Sequence, residues 1–530
     1  MRLILPAATV ALAALALAAA PAGAVSLSAT PIPAAATATA TAPDGTLSLT
    51  SATVGAGEPI KVSYSTPRPH PKNWIGLYTD PGNGPVEEKY VGPSLKWVYI
   101  PDATGTATLP TDGLEPGDYV VYALAADGYT WLAAPAKLRI VSNEPPRFVT
   151  GAFTLRNARA GSPYTATVKG LVRGSVDRFA KVSGPAWVEV AADGSITGTP
   201  PASASAKTAT FEVEARAANG EPATATVRVR IRPAGAPLVP ELKALSWNLW
   251  HGGSQVRDSR EKQLRFLLDR DIDVVGVQES SGTGTKALGE ALGWDYFQAG
   301  PDLGVLSRYP ITARGPLPSE SGLPMSNVRI RIDERRGSEV VLWNVHLGYT
   351  PYGPYDACFG KMPVDRLLAR EAESGRARQI ESIMTAMSAD LEAAGRTPVL
   401  LMGDFNAPSH LDWTDANPHC GYGYVPWPTS RMPAKAGMRD TFRVANPNPA
   451  AEPGITWSPI YKTFTGGYGH DSHAGKPEPQ DRIDFIHVKG RLSVLASDAV
   501  VEGTPQPIPG HQDNAWTSDH AAVLTVFRVR

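Results

Sequence analysis

Six short segments in the second half of this 530-residue chain each carry a polar side chain at or near one end of an apolar stretch. Asn248 follows Ser246-Trp247, Glu279 follows Val275-Gly276-Val277-Gln278, and His346 follows Trp343-Asn344-Val345. Asp404 and Asn406 follow Leu400-Leu401-Met402-Gly403, Asp484 lies in Asp481-Arg482-Ile483-Asp484-Phe485, and Asp519-His520 precede Ala521-Ala522-Val523. These side chains are unnecessary for folding. Carboxylates, amides and imidazoles converging from strand termini make a site for a hard cation and a phosphate group. Each has a plainer alternative taken alone: a turn at Asp404 and Asn406, a surface cap at Glu279, a half-buried imidazole at His346.

The elements that must position them follow from periodicity. Segments 244–249, 273–278, 304–306, 340–345, 398–402, 483–486 and 522–524 read as strands, residues 260–268 as a helix, and 364–394 as a long helical stretch with a break at Ser374-Gly375. Strands and helices interleaved over residues 241–530 predict sheets covered by helices. Nine of the ten histidines lie after position 250, which places the chemistry in this part of the chain. His251 is close enough to Asn248 to line a pocket, whereas His410, His419, His470, His473 and His511 fall in Pro/Gly-rich loops and are expected at the surface.

Ahead of this domain, residues 45–142 and 146–232 alternate in short apolar/polar runs between turn clusters such as 80–84, the pattern of two all-β sandwiches. The proline-rich stretch 232–237 reads as the linker to the last domain, which is then expected to fold alone from about Glu241. Residues 1–24 have the cationic start, apolar run and small-residue site of a secretory signal peptide, and 25–44 is an Ala/Thr/Pro-rich tether. A secreted protein, extracellular or cell-wall associated and without a transmembrane segment, is expected, and export favours a bridge between its two cysteines, Cys358 and Cys420.

The ordered series Ser246-Trp247-Asn248-Leu249, Gln278-Glu279, Asn344-Val345-His346-Leu347, Gly403-Asp404-Phe405-Asn406, Arg482-Ile483-Asp484-Phe485-Ile486 and Ser518-Asp519-His520 resembles the endonuclease/exonuclease/phosphatase superfamily, which includes DNase I-like nucleases, neutral sphingomyelinases and inositol polyphosphate 5-phosphatases. The resemblance covers residues 242–530 and implies a four-layered αββα sandwich with its site at one end of two packed sheets. Segments 72–78 and 97–99 resemble SKICH-type immunoglobulin-like modules, and 194–200 the Ig-like or cadherin-like repeats of bacterial surface proteins, so that cell-surface or glycan contact by the β modules is expected. Phosphate-ester hydrolysis assigns the residues as follows. Glu279 and Asn248 would hold Mg²⁺, with Mn²⁺ or Ca²⁺ as substitutes, and Asp519 is a further ligand or an outer partner. Asp484 would orient His520, Asp404 would align the attacking water, Asn406 would donate to a phosphoryl oxygen, and His346 would donate to another or to the leaving group.

Charge narrows the substrate. The whole chain carries 50 basic and 51 acidic residues, and residues 241–530 carry 30 and 34, a net charge of 30 − 34 = −4. That disfavours an enzyme that gathers duplex nucleic acid by phosphate attraction and favours a phospholipid head group, a phosphosugar or a nucleotide. A secreted DNase I-like nuclease and a catalytically degenerate surface-binding protein are the alternatives. The aromatic loop 349–355 could stack on a sugar or base or touch a membrane surface.

Overall fold

The computed structural model describes residues 43–529 except 81–83, 206 and 218–220. The signal peptide, all but the last two residues of the tether and the centre of the 80–84 turn therefore lie outside the described residues. The chain divides into two compact units.

The first unit comprises residues 43–52, 59–110 and 118–138 among those described. Thr46–Leu49, Ile60–Ser65 and Thr104–Leu109 form one antiparallel sheet, and Lys96–Tyr99, Trp74–Thr79 and residues 119–124 form antiparallel pairs in another. The alternation in Ile60–Ser65 buries Ile60, Val62 and Tyr64 and leaves Lys61 and Ser63 in solvent, as a half-covered strand requires.

The second unit holds residues 139–529 together with 53–58 and 111–117. Its β-rich opening pairs Lys207–Arg216 with Ala223–Arg232 over nine residue pairs, flanked by Arg178–Ser183 and Ala152–Thr154. Beyond it run twelve strands: β1 (Glu241–Asn248), β2 (Val274–Gln278), β3 (Asp295–Ala299), β4 (Leu303–Ser307), β5 (Ile311–Arg314), β6 (Met325–Asp333), β7 (Ser338–His346), β8 (Val399–Asp404), β9 (Arg439–Asp440), β10 (Asp484–Lys489), β11 (Leu492–Val500) and β12 (Ala522–Val529). They build two six-stranded sheets, ordered β3-β4-β2-β1-β12-β11 and β5-β6-β7-β8-β10-β9.

The period of two sorts their side chains into layers. Leu242, Ala244, Val274 and Val305 of the first sheet meet Leu342, Leu400, Met402, Ile486 and Val488 of the second. The opposite faces are covered by helices. Leu245, Trp247, Val275 and Val277 pack against Leu264, Leu267 and Leu288 of α1 (Ser259–Asp269) and α2 (Gly284–Leu292). Val341, Trp343, Val399 and Leu401 pack against Ile380, Ile383, Met387 and Leu391 from the stretch expected to be helical. That stretch breaks at Gly375, whose φ of +83° caps one helix and starts the next. Two strand layers between two helix layers result, so β2 is buried at all five positions.

The stretch 232–237 does not separate independent bodies. Val149, Phe153, Tyr164 and Leu171 of the β-rich region share one core with Leu264, Phe266 and Leu292. Both guanidinium nitrogens of Arg147 bond the Glu261 carboxylate at 2.5 and 2.7 Å. Arg159 donates to the carbonyls of Ala234 (2.9 Å) and Ala236 (2.7 Å) and to Asp333 Oδ1 (2.7 Å), and neither member of that ion pair is more than 6% exposed. The expectation that the chain folds alone from Glu241 is corrected accordingly, because a cut there strips apolar cover from α1 and α2.

Two consequences are measurable. Arg159→Ala leaves Asp333 charged, buried and without its partner, which should cost about 3–5 kcal/mol of stability in urea unfolding, whereas Arg230→Ala, at a half-exposed pair with Asp271, should cost under about 1 kcal/mol. His487 on β10 is buried against Phe405 and Phe485, with no hydrogen-bond partner for either ring nitrogen among the described residues. Burial, reinforced by the Arg482 and His410 charges against that of Asp440, pushes its pKa down to about 4. Its unfolded value near 6.5 lies higher, so stability is full above pH 6.5 and lost as pH falls toward 4. His487→Phe should therefore be less acid-sensitive than wild type by about 3 kcal/mol between pH 7 and pH 4.

Candidate functional site

Register brings the predicted residues together. His346 ends β7 and pairs with Asp404, the last residue of β8, which pairs in turn with Asp484, the first of β10. Direct partners on neighbouring strands project from the same face. Gly403 makes the first pairing close: its φ is +146°, and a Cβ there would lie 1.9 Å from the Val345 carbonyl oxygen. From the first sheet come Asn248 at the end of β1, paired with Gln278, and Glu279 just after β2 with φ +53°. Ser518 donates to the Asn248 carbonyl at 2.6 Å and so draws the Asp519-His520 segment to the same end.

Asn248 Nδ2 sits 3.2 Å from both Glu279 Oε1 and Asp404 Oδ2, bridging the two sheets. His520 Nδ1 lies 2.8 Å from Asp484 Oδ2 and its Nε2 3.7 Å from Asp404 Oδ2. His346 presents Nε2 to Asp404 Oδ2 at 3.6 Å and Nδ1 to Asp302 at 3.0 Å. Asp302 also accepts the Glu279 amide at 3.1 Å. Asn406, at φ +50°, donates its amide to Asp404 Oδ1 (2.8 Å) and its side chain to the Leu347 carbonyl (3.0 Å), so Asp404 closes an Asx-type turn while facing the site.

Glu279, Asp302, His346, Asp404, Asn406, Asp519 and His520 form one wall of a cavity of about 670 Å³. Tyr349, Tyr352, Tyr355, Trp457 and Tyr468 form the other. Glu478 holds two of those rings, accepting from Tyr355 Oη (2.6 Å) and Trp457 Nε1 (2.9 Å). Tyr355 lies on the helix Gly353–Cys358, whose last residue is bridged to Cys420 with Cα atoms 5.1 Å apart, the pairing that the sequence favoured.

Residues 245–520 match the Endonuclease/Exonuclease/phosphatase family. The chain belongs to that family. An uncharacterized Caenorhabditis elegans protein is 33% identical over 299 residues, which are 54% of this chain and 91% of the relative. Among solved structures, truncated Caenorhabditis elegans TDP2 shares 16% identity over 55% of this chain and 98% of its own, with a TM-score of 0.35. The AP endonuclease LMAP of Leishmania major shares 14% over 55% and 89%, with a TM-score of 0.34. As a family member the chain is a hydrolase of phosphoester bonds with a DNase I-like fold in its C-terminal part, preceded by a region rich in β-strands.

Crowded carboxylates set the protonation states of this family site. Burial disfavours the His346 cation, but the Asp302 hydrogen bond and the Asp404, Asp302 and Glu279 charges outweigh it and push the pKa up to about 9. Asp302 moves down for the reciprocal reason: its bond to His346 overcomes its own burial. Burial, then the charges of Glu279 and Asp404, push Asp519 up to about 7 against the pull of His520. His520 is buried yet held well above the usual imidazole value by the Asp484 and Asp404 charges.

All eight predicted residues reach this end of the sheets. His346, Asp404, Asn406, Glu279, Asp519 and His520 line the cavity, whereas Asn248 and Asp484 stand behind them as hydrogen-bond partners. His251 sits on the rim, its Nδ1 3.2 Å from Glu279 Oε2. None of His410, His419, His470, His473 and His511 lines the cavity. Asp302 is the residue that sequence reasoning missed. It immediately precedes β4, and β4 runs antiparallel to β2, so the start of one strand lies level with the end of the other. A search for polar residues at both ends of each strand would have found it. Asp302→Asn keeps shape and removes the charge opposite His346. We expect kcat on a phosphodiester to fall about 10- to 100-fold with little change in KM, and a variant with wild-type kcat would remove Asp302 from the working site.

Proposed function

We propose that the protein is a secreted, divalent-metal-dependent phosphoesterase that cleaves a small or lipid-linked phosphate ester by in-line attack of water. The observation that carries this reading is the Asp484–His520–Asp404 chain, with ring nitrogens 2.8 and 3.7 Å from two buried carboxylates, set beside Glu279 and the His346–Asp302 pair. In this reading Asp404 orients a water and takes up its proton, while His520, fixed by Asp484 and held as a cation, donates from Nε2 toward the reacting phosphate. His346, held as a cation by Asp302, donates from Nε2 to a phosphoryl or leaving oxygen. Asn406 is locked by Leu347 and turns its remaining amide hydrogen to the same space.

The donor set fits a hard cation. Asp519 Oδ1 and Asp484 Oδ1 are buried with no hydrogen-bond partner among the described residues, and buried carboxylate oxygens without one are costly unless a proton or a metal meets them. Two groupings could serve. Asp404, Asp484 and His520 have ligand atoms within 4.8 Å of one another, and Glu279 and Asp519 both line the cavity. We favour Glu279 and Asp519, because both line the cavity, whereas Asp484 stands behind it with its Oδ2 engaged by His520 Nδ1. The Asn248 amide nitrogen, lying between Glu279 and Asp404, orients carboxylates in this arrangement. Mg²⁺ suits so sparse a set because it keeps several of its waters, and when bound it would neutralise phosphate charge as the ester bond breaks.

Export is supported by the leader-like residues 1–24 and by the Cys358–Cys420 bridge. Arginine and lysine are missing from the cavity lining among the described residues, so phosphate recognition rests on histidines and the cation, in keeping with one or two phosphates rather than a polyanion. The aromatic wall then takes the organic part of the substrate, and the first β unit and the region 147–232 serve as immunoglobulin-like modules.

Glu279→Gln should weaken metal binding measured by calorimetry, while His520→Ala should keep metal affinity and lose about 10²–10⁴-fold in turnover of bis-p-nitrophenyl phosphate. Equal loss of metal binding in both variants would merge the two roles, and metal-independent turnover, or none with any divalent ion, would overturn the reading.

A further inference from the structure

The first β unit has a sheet whose outer face is built of aromatic rings. Along Trp74–Thr79 the period of two sends Ile75 and Leu77 to one face and Trp74, Gly76 and Tyr78 to the other, where Tyr78 is itself buried with Tyr122 and only Trp74 is partly exposed. Their register partners follow suit: Tyr99 stands beside Trp74, and Trp97 and Tyr122 flank Gly76. A sandwich strand with one face on the core ordinarily shows polar residues on the other. Here Trp97 is 56% exposed and Tyr99 45%, two residues apart on the strand Lys96–Tyr99, with ring centroids 5.0 Å apart. Tyr90, 58% exposed, adds a third ring 5.3 Å from Tyr129, which in turn leans on Trp74. Trp74 and Tyr129 lean on the buried cluster of Tyr78 and Tyr122, whereas Trp97, Tyr99 and Tyr90 stay exposed beside them, and clustered exposed aromatics mark a surface that meets something.

We propose that this face binds a neutral polysaccharide. The charges around the rings identify the class. Lys72 meets Asp127 at 2.6 Å, and Lys89 meets Glu87 at 3.3 Å, so the rim carries polar groups but its ammonium and carboxylate charges offset each other in pairs. A nucleic acid or an anionic bilayer needs a cluster of uncompensated lysine or arginine, and among the described residues Lys72 and Lys89 at this rim are both paired. A sugar ring needs a flat aromatic face for its C–H side, where the negative π cloud meets weakly positive hydrogens, and hydrogen-bonding groups at the edge for its hydroxyls. Asp127 provides the edge: it already accepts from Lys72 and from Tyr99 Oη (3.0 Å), which fixes it beside the rings. The surface is an open sheet face rather than a pocket, and it grips from one side only. A single small sugar would gain little there, whereas a chain laid across several rings gains at each. An enzyme held on a polysaccharide meets substrates displayed near that polymer at a raised effective concentration.

The test uses the full-length protein in pull-downs with microcrystalline cellulose and chitin, in affinity electrophoresis with soluble β-glucan and mannan, and in flotation with phosphatidylglycerol vesicles. Retention by at least one neutral polysaccharide is expected, weakened roughly tenfold or more by Trp97→Ala and by Tyr99→Ala, since each removes a stacking ring. Tyr99→Phe should keep most of the binding, and turnover of bis-p-nitrophenyl phosphate in solution should be unchanged in all three variants. The substituted side chains are exposed, and unchanged thermal unfolding reports that the unit is intact. No retention by any neutral polymer, or retention indifferent to both alanine variants, overturns the proposal. Binding to the vesicles alone reassigns the face to a membrane, and self-association abolished by Trp97→Ala reassigns it to a second copy of the chain.

Discussion

Asn344 holds the two sheets of the catalytic domain in one alignment. It is fully buried between them, donates from β7 to the carbonyls of Val277 (2.8 Å) and Gly304 (3.0 Å), and accepts from Gln278 Nε2 (2.5 Å). The apolar contacts around it drive the sheets together but hardly care about sliding, because the hydrophobic effect has no direction. A satisfied amide in a low-dielectric interior does care, since a shift of one residue would leave several polar groups unpaired. Gly276 makes the space: a Cβ there would lie 2.7 Å from Met402 Sδ and 2.9 Å from Asn344 Oδ1. Everything at the functional end follows from this alignment, including the 3.2 Å contact between Asn248 of one sheet and Asp404 of the other.

A second constraint is charge. Glu279, Asp302, Asp404 and Asp519 line one cavity and Asp484 stands behind it, against three histidines. Such a set is stable only with protons, hydrogen bonds or a cation to meet it. The protein supplies what it can through His346, His520 and Asn248. The remaining mismatch, seen among the described residues in the unpartnered oxygens of Asp484 and Asp519, is one that a proton or, in the proposed reading, a divalent ion would meet.

Other ion pairs rigidify what surrounds the site. Arg482, fully buried two residues before Asp484, bonds both Asp412 (2.9 and 3.0 Å) and Asp440 (2.7 and 3.1 Å), and its guanidinium lies between the rings of Phe442 and Phe485. That anchor holds the start of β10 where Asp404 and His520 need it. On the far side, the β-rich region 147–232 shares the core beneath α1 and α2, so its loss would be felt through packing rather than through any residue of the cavity.

The sequence by itself determined the family, seven of the twelve strands and eight candidate site residues that meet at one end of the sheets, because each is written locally: an apolar run has a visible end, and the polar residue there is conspicuous. It also located the helix break at Gly375 and the aromatic loop that became part of the cavity wall. The tertiary structure alone decided who meets whom. That His346, Asp404 and Asp484 are neighbours depends on strand pairing across 58 and 80 positions of chain, and pairing partners leave no local trace. Asp302 escaped notice because its strand runs the other way, Asn344 because an amide inside an apolar strand looks like part of a motif rather than a clamp. The 232–237 stretch has the composition of a free linker, yet Arg159 holds its carbonyls; composition reports what a segment could do unrestrained, and only packing reports what restrains it.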